Sequence, residues 1–336
     1  MIFEGIARFE IDSDAILNRL PLKGDEVVIL SGTIVEGIGN AHSDYDVYVI
    51  SDRRPSVDPS TPHNYLGVEG GEMNQFYDYL NAEGLAFDVE FWTNDDVAAA
   101  FEELNSLYER ASEKTKIFRP NLGWQTEDFL HKLAIGMPLT SDQGFGELKK
   151  KFSKSKFNFV KYRNFTGGYP EWKDIAGAWM SGDIDTALHD MRMYLNEQLQ
   201  GLSQLSGNSN YKPKWVMQNL RRLEKAHGEL VGDIREWLYR GNLSSETRKQ
   251  SVLDGADLVD RIFRAGRKYL DSVPEFYSVD TALSLTEAEF RTEQIFDEQT
   301  KVEFEHRRRI FSDEASPLRT HLTGGVKEIL KNSIFA

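Results

Sequence analysis

Two apolar runs, the second carrying acids at strand spacing, constrain this chain more than anything else in it. Val27-Val28-Ile29-Leu30-Ser31 runs into Gly32-Thr33, and eleven residues separate Gly32 from Asp44-Tyr45-Asp46-Val47-Tyr48-Val49-Ile50. In a β-strand, side chains two residues apart share a face, so Asp44 and Asp46 project together while Tyr45, Val47 and Val49 face the other way. A third run, Phe87-Asp88-Val89-Glu90-Phe91-Trp92, alternates in the same sense and puts Asp88 and Glu90 on one face. Carboxylates fixed side by side repel unless a cation sits between them. The expected ion is Mg²⁺, which prefers oxygen ligands, with Mn²⁺ as a substitute.

At 336 residues the chain exceeds most single cores, so two domains are expected. The absence of cysteine excludes disulfides, thiolate metal sites and thiol nucleophiles. No apolar run approaches the roughly 18 residues that cross a bilayer, and Met1-Ile2-Phe3-Glu4 lacks a basic stretch before an apolar one. The expectation is a cytoplasmic protein with no membrane partner. The net charge of −14 argues against broad binding to nucleic acid, which draws its affinity from neutralised phosphates. Two basic clusters, Lys149–Lys151 with Lys154 and Lys156, and Arg307–Arg309, would be the local exceptions if they are more than solvated faces.

The first 110 or so residues read as mixed α/β. Val27–Leu30, Asp44–Ile50 and Ala86–Trp92 are expected strands. Thr33–Gly39 is expected to make one or two helical turns. Ser51–Asn64, with Pro55, Pro59 and Pro62, reads as a surface loop. Met73, Phe76, Tyr77 and Leu80 have helical spacing, so Glu72–Asn81 is expected to be a helix. Thr93-Asn94 offers a cap for a helix from Asp95 to about Arg110. Beyond about residue 125 the pattern is helical: Glu127–Ile135, Gly144–Phe152, Asp183–Leu205, Lys214–Ala226, Leu230–Tyr239 and Ser244–Leu270, closed by Pro274. The tail is expected to be helical around Thr286–Arg309 and to lack a core face at its very end.

The acidic runs and the glycine turn suit one chemistry. Asp88 or Glu90, laid beside Asp44 and Asp46, would complete a carboxylate triad able to hold two divalent ions. One ion would activate an attacking hydroxyl and the other would neutralise a leaving pyrophosphate. Glycine lets backbone approach a phosphate, a hydroxyl such as that of Thr33 can donate to it, and free N–H groups opening a helical turn favour anions.

Gly32-Thr33, the spacer with Ser43 before the acids, Asp44-x-Asp46 on a strand and a later acidic strand together resemble the polymerase-β-like nucleotidyltransferase superfamily, over Val27 to Trp92. Thr33 stands where that family usually has serine, and the hydroxyl survives. The resemblance implies Asp44, Asp46 and Asp88 as metal ligands, with Glu90 as a neighbouring or alternative acid. Gly32, Thr33 and Ser43 would lie at the nucleotide. A second likeness, to the helical domain of several bacterial small nucleotidyltransferases, rests on Gly182-Asp183, Ala187, Arg192, Tyr194-Leu195, Gly207, Tyr211, Lys212 and Lys214-Trp215. It implies Lys214 on triphosphate oxygens and Trp215 against a base or sugar, with Arg192 and Tyr194 behind them. The competing reading makes Trp215 and Tyr194 packing residues and Lys214 a surface cation.

Other sites find no pattern. The histidines lack metal-ligand spacing, no phosphate-loop motif of the Gly-x(4)-Gly-Lys type occurs, and Glu36-Gly37-Ile38-Gly39 is too short for a dinucleotide fingerprint. The expected architecture is α/β + α. A nucleotidyltransferase palm with a short mixed sheet spans 1–122, a helical-bundle domain that closes over it spans 123–275, and a helical extension spans 276–336. The expected reaction moves a nucleoside monophosphate from an NTP to an acceptor hydroxyl or phosphate. The resemblance to aminoglycoside-type enzymes and the acidic surface favour a small, cationic acceptor. The alternatives are a toxin or defence enzyme acting on tRNA or protein, a synthase of oligonucleotide signals, and an inactive nucleotide-binding scaffold.

Overall fold

The computed structural model describes residues 1–4, 8–56, 65–69, 71–79, 86–113, 119–140, 142–167, 169–210, 212–241, 244–292, 297–312 and 316–335. They divide into two compact units, Met1–Asn105 with Leu122–Lys154, and Ser106–Asn121 with Ser155–Ala336.

In the first unit the described elements are β1 (Ile2–Glu4), β2 (Arg8–Glu10), α1 (Ser13–Leu17), β3 (Val27–Ser31), β4 (Tyr45–Ser51), β5 (Tyr65–Glu69), β6 (Glu72–Tyr79) and β7 (Ala86–Thr93). These are followed by the first three turns of α2 (Asn94–Glu113), then α3 (Trp124–Ile135), β8 (Met137–Pro138) and α4 (Asp142–Lys151). The main sheet has the order β5-β6-β7-β4-β3-β8, with β4 and β7 parallel and every other neighbouring pair antiparallel. The alternation has its expected consequence. Val28, Leu30, Tyr45, Val47, Val49, Phe87, Val89 and Phe91 turn one face into a core shared with Phe9, Ile16 and Phe76. The opposite face carries Ser31, Asp46, Tyr48, Asp88 and Glu90. Helix α3 covers it, with Phe129 stacked on Trp92 at 4.2 Å between ring centroids.

The expected helix over Glu72–Asn81 is instead strand β6, with residues 80 and 81 outside the described part. Its pairing with β5 matches Val68 to Met73 but Gly67 to Gln75, so Asn74 is an extra residue. That bulge puts Met73 and Phe76, three apart, into the same core, and a three-residue spacing imitates a helix. Thr33–Gly39 forms successive turns, closed by Glu36 N–H donating to the Gly32 carbonyl at 3.0 Å, without settling into a helix. The Thr93 cap of α2 is present, its hydroxyl accepting from Asp96 N–H at 3.1 Å while Asp96 accepts from Thr93 N–H at 2.7 Å. The expected loop Ser51–Asn64 opens with the last residue of β4, and residues 57–64 lie outside the described part.

The second unit is helical: α5 (Lys154–Thr166), α6 (Tyr169–Met180), α7 (Ile184–Leu205), a 3₁₀ turn (Pro213–Trp215), α8 (Val216–Leu238), α9 (Ser245–Ser272), α10 (Val279–Thr292), α11 (Glu298–Phe311) and α12 (Pro317–Leu330). Asp183 caps α7 by accepting from Thr186 N–H at 3.2 Å, and α7 buries Ala187, Leu188, Met191, Leu195 and Leu199 at helical spacing along one face. The helices expected over Lys214–Ala226 and Leu230–Tyr239 are one element bent at His227, where φ and ψ are −143° and 41°. A Cβ on Gly255 would lie 2.6 Å from Met191 Cγ and 2.8 Å from Trp237 Cζ2, so α9 meets α7 and α8 at bare backbone. The tail does acquire a core face, because Leu318, Leu322 and Ile329 of α12 are buried. Among the described residues no helix is long and apolar enough to cross a membrane.

Lys149 and the Arg307–Arg309 run are engaged inside the protein, whereas Lys150, Lys151 and Lys154 are exposed. Lys149 Nζ donates to the carbonyls of Leu133 and Ala134 at 2.6 and 2.9 Å, where α3 ends. Arg307 pairs with Glu303, and Arg308 and Arg309 both pair with Glu305. On a helix, neighbours three or four residues away share a face, so a basic run in sequence is distributed among acidic partners.

Trp172 donates its indole N–H to Nδ1 of buried His321 at 2.9 Å, and the His306 ring lies 5.1 Å away. Burial pulls His321 down to about 4 and, together with His321 and Arg309, holds His306 well below its ordinary value. A histidine that is harder to protonate when folded stabilises fully above its unfolded pKa, and loses that contribution as pH falls from about 6.5 toward 4. We expect His321 alone to remove about 3 kcal/mol of stability across that window. His321→Asn keeps an acceptor for Trp172, and urea titrations at pH 7 and 4.5 should show a shallower acid decline than in the parent. An unchanged pH slope would refute the assignment.

Candidate active site

The carboxylates are brought together by register. Asp46 on β4 is the pairing partner of Asp88 on the parallel strand β7, and Tyr48 is the partner of Glu90 one step along. Asp44 falls one residue before β4 begins and is exposed, yet it lies close enough to act electrostatically on both Asp46 and Asp88. On the other side of β4, Ser31 pairs with Asp46, and the chain then turns at Gly32.

Gly32 is the one residue type that fits its place. Its φ is +90°, in the left-handed region, and a Cβ there would lie 1.8 Å from Asp46 Oδ2. The Asp46 carboxylate therefore rests directly against the backbone of the turn. Beyond it, Thr33 Oγ1 donates to Ser43 Oγ at 3.3 Å, and Ser43 Oγ accepts the Asn40 N–H at 2.9 Å. The two hydroxyls expected at a nucleotide are neighbours beside the acids.

Helix α3 supplies what sequence reasoning did not find. Lys132, buried, places its ammonium on Asp46 Oδ1, and its own carbonyl is held by Ser31 Oγ at 2.7 Å. One turn earlier, Asp128 Oδ2 accepts the Tyr48 hydroxyl at 3.0 Å, and that hydroxyl also lies 2.9 Å from Glu90 Oε1. Gln75, from β6, donates to both oxygens of Asp88 at 3.0 and 3.1 Å. Asp128 and Lys132 are spaced i, i+4, the arrangement that puts two charges on one helix face, and this was the available signal. Tyr48 could have been found as the residue two after Asp46. Gln75 was hidden by the helical reading of its strand.

Charge is the dominant property of this face. Burial, reinforced by Asp44 and Asp128 and opposed by Lys132, raises the pKa of Asp46. Burial, then Asp46 and Asp44, raise Asp88 against the hydrogen bonds from Gln75. Glu90 is raised by burial and Asp128 against the hydrogen bonds from Trp92 and Tyr48. Burial disfavours charge on Lys132, but Asp46, Asp128 and Glu90 outweigh it and keep it an ammonium. Among the described residues, five carboxylates thus crowd a face that holds one buried lysine. The chemistry of this donor set fits a hard divalent ion, although among the described residues no three His, Asp or Glu side chains are arranged to enclose one.

Beside the acids, within the same unit, lies a cavity of about 940 Å³ lined by Arg54, Gln75, Glu90, Trp92, Asp96 and Trp124 among others. Trp124 is 75% exposed, an unusual state for so large an apolar ring.

The remaining expected site residues belong to the second unit. Tyr194 is buried in its core, 5.9 Å from the Trp172 ring, and as placed it packs rather than presents a stacking face. Arg192 is partly buried, reaching the Arg240 carbonyl at 3.4 Å. Lys214 is exposed, with Nζ 5.3 Å from the ring of Trp215, whose buried indole N–H has no partner among the described residues. Residue 211 lies outside the described part.

No protein-family profile matches the chain. No curated protein matches it either. Among solved structures it is similar to a nucleotidyltransferase-like protein from Exiguobacterium sibiricum 255-15, at 13% identity and a TM-score of 0.38, over 89% of this chain and 85% of that one. At that distance, what this chain does has to be read from its own side chains.

The Gly32 contact makes a direct prediction. Gly32→Ala should cost about 2 kcal/mol or more, because left-handed strain adds to the collision with Asp46. Gly37, at φ +78° with nothing within 4 Å of where a methyl would stand, is the control, and Gly37→Ala should cost about 1 kcal/mol of strain alone. Equal losses in chemical denaturation would mean that Asp46 does not press on the turn.

Proposed function

We propose that the first unit is a nucleotidyltransferase that moves a nucleoside monophosphate from an NTP to a small acceptor. The observation that carries this reading is the seating of Asp46 against Gly32 while in register with Asp88. An acidic pair on adjacent strands beside a glycine turn bearing two hydroxyls has few other uses. Thr33 and Ser43 would donate to phosphate oxygens, and the turn's backbone would approach the triphosphate without a side chain in the way. Mg²⁺ or Mn²⁺ would be held by Asp44, Asp46 and Asp88 and would supply neutralising charge for the triphosphate and its leaving group.

In the transfer, an acceptor oxygen forms a bond to the α-phosphorus and the bond to the pyrophosphate oxygen breaks. The acceptor's proton passes to a carboxylate, for which Asp88 and Glu90, both with raised pKa, are suited. Lys132 would release Asp46 to the incoming ion and turn to a phosphate oxygen as a point charge. The cavity bounded by Glu90, the Arg54–Asp96 ion pair and the exposed Trp124 would receive the acceptor. The Glu90 carboxylate and an indole face favour a small, amine-bearing molecule.

One observation favours a second reading. Lys132 already neutralises Asp46, as it would in a scaffold that binds nucleotide without turnover. An RNA acceptor has less support, because Lys149 is tied to internal carbonyls and Arg307–Arg309 to internal carboxylates.

Incubation with each α-labelled NTP, Mg²⁺ or Mn²⁺ and a panel of polyamine and amino-sugar acceptors separates these readings. Label is expected on a small acceptor, with Asp46→Asn and Asp88→Asn each reducing transfer by at least about 100-fold. Label on RNA or protein would reassign the acceptor. No transfer with any NTP, alongside nucleotide binding that ignores Mg²⁺, would establish the scaffold.

A further inference from the structure

A second cavity, enclosing about 930 Å³ when the solvent at its open mouth is included, lies wholly within the helical unit and takes no part in the chemistry above. The end of α2, α5, α10, α11 and the segment between α9 and α10 form its walls, which are mostly aromatic and aliphatic. Phe159 packs on Phe276 at 4.7 Å, and Phe290 on Phe304 at 5.0 Å. Set into this apolar lining are two guanidinium groups, of Arg163 and Arg307.

Arg307 is accounted for by its ion pair with Glu303 at 2.8 Å. Arg163 is not. It is only 9% exposed, and among the described residues its guanidinium makes no hydrogen bond or ion pair, with Nε left wholly without a partner. Glu303 Oε2 is likewise unpartnered, so the nearest carboxylate is committed to Arg307 and does not reach across. Burial, then Arg307, pull Arg163 down to about 10, which still leaves it charged at neutral pH. Two guanidiniums against one carboxylate leave one uncompensated positive charge in an apolar cavity. A buried, unpaired charge is among the costliest things a fold can carry, and it persists where something else completes it.

We propose that this cavity is a binding site for an amphipathic monocarboxylate, with its hydrocarbon body among Phe159, Phe276, Leu283, Phe290 and Phe304 and its carboxylate on Arg163. The planar guanidinium fork matches a carboxylate, and one negative charge balances the cavity where a phosphate dianion would overshoot.

Isothermal titration with dodecanoate, dodecanol and dodecyl phosphate, on the full-length protein below their aggregation concentrations, tests this. Dodecanoate should bind saturably at one site and at least tenfold tighter than dodecanol or dodecyl phosphate. Arg163→Met should weaken dodecanoate at least tenfold while leaving dodecanol unchanged, and without ligand it should melt no lower than the parent because it removes an unpaired charge. Ala282→Trp, which fills the cavity from α10, should abolish binding of all three. Absence of saturable dodecanoate binding, a preference for dodecanol or the phosphate, or equal binding by Arg163→Met would each overturn the proposal. So would a clear fall in the melting temperature of ligand-free Arg163→Met, since that would mean Arg163 is completed by Glu303.

Discussion

The first unit is organised around the repulsion between carboxylates that its own strand pairing forces together. Parallel register leaves Asp46 and Asp88 side by side, and Asp44, Glu90 and Asp128 crowd the same face. Such an arrangement survives only with compensation. The protein provides it through Lys132, delivered by α3, whose carbonyl is pinned by Ser31 on the neighbouring strand. Even so, one ammonium among five carboxylates leaves a strong demand for positive charge.

That demand ties fold to chemistry. The apolar face of the same strands fixes β3, β4 and β7 against the core, so the acids cannot move apart without giving up burial of Val47, Val89 and their neighbours. Gly32 then allows Asp46 to sit against the turn, and the hydroxyls of Thr33 and Ser43 follow from where that turn leads. In the transfer we propose, negative groups held this rigidly would receive a polyanion arriving with its own cations. Catalysis there would come from positioning and neutralisation.

Much of this was legible in the sequence for a definite reason. Strict alternation through Tyr45–Ile50 and Phe87–Phe91 specifies both the strands and the face that carries the acids. What could not be read was register, which decides that Asp88 rather than Glu90 stands opposite Asp46. The bulge at Asn74 gave β6 a helical spacing and concealed Gln75. Lys132 and Asp128 lie on a helix more than 70 residues from β4, and only tertiary packing brings them to the acids. In the helical unit, periodicity located α7 and α9, whereas α12 showed its buried face only once folded against its neighbours.

The claim beneath all of this is that the acidic face needs a cation and that Lys132 is its resident one. Thermal and urea unfolding of Lys132→Met, with and without Mg²⁺, measures that need directly. Without divalent ions the variant should lose about 3 kcal/mol, as expected when a buried pair is broken on one side, and Mg²⁺ should restore far more stability to it than it adds to the parent. A variant as stable as the parent, or one whose response to Mg²⁺ is no larger, would contradict it.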